Sequence, residues 1–71
     1  MVGKLMASEK NKLEFEIYYQ TDNNEIKIGV SSGFSFRDAC CKYSETDINF
    51  ASKFNSDKLT FGKHELLGKL L

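Results

Sequence analysis

Residues 34–54 read FSFRDACCKYSETDINFASKF, and the phase of their apolar side chains decides the fold. Phe36, Ala39, Cys40 and Tyr43 fall at i, i+3, i+4 and i+7, one stripe of a helix, while Arg37, Asp38, Lys42 and Glu45 turn away. Ser35 followed by Asp38 fits an N-cap with a carboxylate at the third helical position, which satisfies free amides and complements the positive helix end. Asp38 and Lys42 form a favourable i, i+4 pair. Continued to Phe54 without a break, the stripe would place Asp47 near its centre and Ile48 well off it. Burying an unpaired carboxylate is costly, so the phase predicts a break within Ser44–Asp47, where capping residue types cluster. A second short helix from about Asp47 to Phe54 then puts Ile48, Ala51 and Phe54 on one side.

On the N-terminal side the period changes from helical to alternating. Leu13, Phe15, Ile17 and Tyr19 alternate with Glu14, Glu16, Tyr18 and Gln20, the pattern of a half-buried strand. After the turn-forming cluster Thr21, Asp22, Asn23 and Asn24, Ile26, Ile28 and Val30 alternate with Glu25, Lys27 and Gly29, which completes a hairpin. Ser31, Ser32 and Gly33 connect it to the helix. Residues 1–12 show no sustained period and read as a flexible or loosely docked arm.

On the C-terminal side, Asn55, Ser56 and Asp57 form a turn. Lys58–Lys63, KLTFGK, alternates Leu59 and Phe61 with polar residues and reads as a third strand beside the hairpin. Leu66, Leu67, Leu70 and Leu71 stand at helical spacing interrupted by Gly68, so the tail reads as a short helix or an extended segment closing the core. The expected fold is a single α+β domain over residues 13–71 in the order β, β, α, short α, β. An antiparallel sheet of two or three strands packs one face on the helices. Its core comprises Leu13, Phe15, Ile17, Tyr19, Ile26, Ile28, Val30, Phe36, Ala39, Cys40, Tyr43, Ile48, Phe54, Leu59 and Phe61. At 71 residues the chain hides only ~60% of its unfolded surface, so its six Phe and three Tyr carry the core.

Composition narrows the function classes. Ten basic and ten acidic residues cancel, which removes any global field toward phosphate polymers or anionic membranes. The adjacent cysteines, Cys40 and Cys41, are too close in sequence for an ordinary disulfide, and a reducing, cytoplasmic compartment fits them. No window has the length of a membrane span.

Catalysis would have to draw on Cys40, Cys41 and the lone His64. Cys40 lies on the apolar stripe as a small hydrophobe and Cys41 about 100° from it, without the electropositive niche a reactive thiol needs. The same three residues fall one ligand short of a closed tetrahedral metal site and lack C-x₂-C spacing. No glycine-rich phosphate loop is present. The expectation is therefore a non-enzymatic module without cofactor, regulatory in character, that binds another protein or itself through its sheet edge and C-terminal leucines. Its candidate contacts are Glu14, Glu16 and Tyr18 on the hairpin, with Leu66, Leu67, Leu70 and Leu71; Leu67–Leu71, LGKLL, matches the L-x-x-L-L pattern of groove-binding helices. The alternative is a nucleic-acid-binding domain using Lys53, Lys58, Lys63 and Lys69, with Tyr18 as a base-stacking platform.

Overall fold

The structure is a computed structural model and describes residues 12–71. Its elements are β1 (Leu13–Gln20), β2 (Glu25–Gly33), α1 (Phe36–Thr46), α2 (Ile48–Lys53), β3 (Phe54–Asn55), β4 (Thr60–Phe61) and β5 (His64–Leu70). The strands form one antiparallel sheet in the order β2-β1-β5-β4-β3. The α+β class follows, and the strand count and order differ from expectation. The arm foreseen at the N-terminus lies outside the described residues apart from Lys12.

The helical stretch forms as its phase predicts. The Ser35 hydroxyl accepts from the Asp38 amide at 3.1 Å, while the Asp38 carboxylate accepts from the Phe34 amide at 2.9 Å, a reciprocal cap. Asp47 makes the break. Its backbone is extended, its amide donates to the Tyr43 carbonyl at 3.1 Å, and its carboxylate accepts from the Phe50 amide at 3.1 Å. One residue thus ends α1 and starts α2, satisfying orphan groups of both.

The second helix turns a different side inward from the one expected. Phe50 is buried, whereas Ile48 is 83% exposed and Ala51 also faces solvent. With only six residues, α2 docks through whichever large ring meets the core. Phe50 does so, stacked between Phe54 at 5.0 Å and Phe61 at 5.5 Å, with the edge of Tyr43 at 5.1 Å.

The tail departs most from its helical spacing. Residues 64–70 form β5, which pairs with β1 from Phe15↔Leu70 to Tyr19↔Leu66 and makes the hairpin's second neighbour. The segment expected in that place contributes only Thr60–Phe61, paired to the start of β5. A two-residue turn, Gly62–Lys63, joins them, with Gly62 at φ 62°, a conformation that glycine adopts without strain. A strand satisfies the unpaired edge of β1, and Gly68, poor in a helix, lets β5 pass beneath the Phe36 ring.

A bulge corrects the face assignment of β2. Ile17 pairs with Gly29 and Tyr18 with Lys27, so Ile28 is the extra residue. Ile28 still packs on the core, but alternation shifts beyond it and Val30 stands opposite Glu16 on the outer face, 46% exposed. Ile26 and Leu13, at the two ends of the hairpin, are also exposed. The resulting core joins Ile17, Cys40 and Phe50, with Ile28, Phe36, Tyr43, Phe54, Leu59, Phe61 and Leu66 packed around them.

Candidate functional site

The outer face of the three long strands, opposite the helices, gathers part of the expected contact set. Glu14, Glu16 and Tyr18 of β1 share it with Leu67 and Lys69 of β5, because those residues are register partners or alternate with them. Leu66 lies on the inner side and packs on the core; Leu70 and Leu71 are exposed at the far end. The L-x-x-L-L segment is thus a strand, whose alternation sends neighbouring leucines to opposite faces, and it presents no leucine stripe of the groove-binding kind.

Four of the charges on this face form two ion pairs. Lys27 pairs with Glu16 at 3.2 Å, the Tyr18 hydroxyl donates to the other Glu16 oxygen at 3.0 Å, and Lys69 pairs with Glu25 at 2.7 Å. The Tyr18 hydrogen bond, followed by that from Lys27, holds the Glu16 carboxyl below its ordinary range, and Glu25 raises Lys69. The Lys69 ammonium also lies 4.6 Å from the centre of the Tyr18 ring, which removes that ring face as an open stacking platform.

Of the two terminal strands of the sheet, β3 has two residues and β2 nine, so the long edge is on β2. Leu71 donates to the Glu14 carbonyl at 3.0 Å, so Glu14 turns its backbone groups toward β5, and by alternation Phe15 and Ile17 turn theirs toward β2. Their partners Ser31 and Gly29 are therefore the ladder-bonded residues of β2. Val30 and Ser32 point their N–H and C=O groups outward, where no strand among the described residues pairs with them. The other end of the edge is blunted by the bulge, whose Ile28 carbonyl accepts from the Tyr43 hydroxyl at 3.3 Å, and by Lys27. The hairpin pattern points to an edge but not to which of its strands carries it, since strand order alone determines that.

The four lysines of the alternative set separate in space. Lys69 is on the outer face with Glu25, and Lys58 lies in the turn that the Asn55 side chain holds by accepting from the Asp57 and Lys58 amides, each at 3.0 Å. Lys53 and Lys63 flank a cleft of about 460 Å³ whose other walls are Tyr19, Phe61, Gly62 and His64. A second hollow, of about 530 Å³, lies over the Gln20–Glu25 turn and is lined by Gln20, Thr21, Asn23, Asn24 and Glu25.

Cys40 is wholly buried, and burial pushes its thiol up to about 12, so it stays protonated and unreactive at neutral pH. Cys41 is half-exposed on α1. Among the described residues no three His, Cys, Asp or Glu side chains converge as metal ligands, and no helix is long and apolar enough to cross a membrane. Comparison with protein-family models, curated proteins and solved structures returned no match, so the assignment of function rests on this chain's own geometry.

Proposed function

We propose that the chain is a non-enzymatic interaction module that takes up an extended segment of another protein along the β2 edge. The observation that carries this reading is the outward row of backbone groups at Val30 and Ser32, beside an exposed Val30 side chain. An added strand would satisfy those groups by ladder hydrogen bonds and cover the valine, the mode called β-augmentation. Blunting by the bulge and Lys27 restricts the added strand to the Val30–Gly33 half, which sets its register.

Proline at position 32 supplies the test. The Ser32 N–H points away from the ladder, so Ser32→Pro keeps the β1–β2 hydrogen bonds while removing an outward donor and obstructing the edge. Affinity capture from native extract, read by mass spectrometry, is run with both proteins beside sedimentation of each alone. Loss of captured proteins in S32P supports the reading. Self-association abolished by S32P would instead make a second copy the occupant. Identical captured sets together with identical monomeric sedimentation refute edge binding.

A further inference from the structure

Away from the β2 edge, a cleft lies between Lys53 and Lys63. Its walls belong to a ladder of aromatic rings that begins in the core. Phe54 stacks on Phe50 and Phe50 on Phe61 at 5.5 Å and 15°; beyond Phe61 the rings tilt, Tyr19 lying 5.3 Å from Phe61 at 31° and His64 5.1 Å from Tyr19 at 34°. The inner rung, Phe50, is buried; the last three rungs are half-buried and open into the cleft. A planar group entering there meets ring faces already fixed by packing, so stacking costs little side-chain ordering.

The charge at the cleft has one sign. No carboxylate lines it, and the three ion pairs of the described residues use Lys27, Lys42 and Lys69, leaving Lys53 and Lys63 out. The Lys53 ammonium is placed 5.5 Å from the Phe61 ring centre, above an aromatic wall and not beside an acid. The volume lies within the roughly 300–1,000 Å³ usual for small-ligand sites. At the tip, Gly62 has open space where a side chain would stand, which keeps the mouth clear between the two lysines.

We propose that this cleft binds an aromatic base carrying a phosphate, with the base against His64 at the open end of the ladder and the phosphate between Lys53 and Lys63. Flatness suits the ring ladder, and the paired ammonium groups supply the counter-charge that a neutral base would not use. A free nucleotide and one unit of a single strand share this chemistry. The neutral net charge of the whole chain confines any strand binding to this local patch.

Amide and aromatic NMR resonances are followed at low ionic strength while adenosine monophosphate, adenosine or a short oligodeoxyadenylate is added. The expected result is saturable shifts at Tyr19, Phe61 and His64 with the nucleotide, about tenfold weaker binding of adenosine, and loss of about tenfold or more in a Lys53→Glu, Lys63→Glu double variant. Both lysines are exposed, and circular dichroism checks that the variant keeps its fold. Tighter binding of the oligonucleotide than of the mononucleotide identifies a single strand as the source; equal or weaker binding identifies the free nucleotide. The proposal is overturned if neither phosphate ligand shifts those rings, if adenosine binds as well as its monophosphate, or if the folded double variant binds unchanged.

Discussion

Replacing Gly68 by alanine tests the packing of β5 beneath α1. Gly68 stands opposite Ile17 on the inner face, and a Cβ built there would lie 2.6 Å from Cε1 and 2.9 Å from Cγ of the Phe36 ring. Carbon atoms rest at ~3.5–4.0 Å, so the ring must retreat by about 1 Å. Phe15 stands beside it at 5.6 Å between ring centres and resists that movement. Overpacking of this kind costs about 1–3 kcal/mol. Alanine recovers ~0.5–1 kcal/mol through its lower backbone entropy in a strand. A net loss of about 1–2 kcal/mol lowers Tm by roughly 5–15 °C for a domain of this size. Thermal denaturation followed by circular dichroism measures it. In a Phe36→Leu background the same substitution should cost less than ~0.5 kcal/mol, because the obstructing ring is gone. A Gly68→Ala melting point at or above that of the parent, or an undiminished loss in the leucine background, would refute the packing argument.

The two apolar positions of α2 should behave oppositely in urea titrations: Phe50→Ala loses about 3–5 kcal/mol, whereas Ile48→Ala stays within ~0.5 kcal/mol; comparable losses would contradict the observed orientation of the helix. In acid, Glu16 and Asp38 have folded pKa values below their ordinary 4.5 and 3.8, Asp38 chiefly through the Phe34 amide. The folded state therefore binds fewer protons than the unfolded state, and stability present above that range is lost as pH falls through it; Asp38→Asn should flatten this loss. In alkali the sign reverses for Cys40: raised from 9.0 to about 12, it favours the folded state less as pH climbs through that window. Lys69, raised from 10.5 by Glu25, adds to the loss only above that value. Iodoacetamide at neutral pH should accordingly modify Cys41 in the native protein and reach Cys40 only on unfolding, as peptide mapping would show.

The local order of residues 34–54 was legible in sequence because its determinants are local. Cap residues, i, i+4 spacing and the cost of a buried Asp47 act within a turn or two of chain, and they located α1, the break and α2 without reference to any partner. The hairpin was legible for the same reason, since Thr21–Asn24 and the flanking alternation are contiguous. The fate of the leucines at 66–71 was not. Their spacing suits either a helix or a strand, and what decides between them is the unpaired edge of β1, some fifty residues earlier in the chain.

The candidate sites divide along the same line. Glu14, Glu16, Tyr18 and Leu67 share a face because strand alternation and one register place them there, and the first three could be grouped from sequence alone. The free β2 edge depends on strand order, and the cleft depends on Tyr19, Lys53 and His64 arriving from three different elements. The helix caps, the break at Asp47, the hairpin and the apolar stripe that carries Cys40 follow from sequence, because each rests on hydrogen bonds or periodicity within a few residues. Packing between distant segments is what brings Phe50 rather than Ile48 into the core, turns Val30 outward past a bulge, and ends the aromatic ladder in the cleft flanked by Lys53 and Lys63. Those outcomes depend on shape complementarity between segments far apart in sequence, which local pattern does not encode.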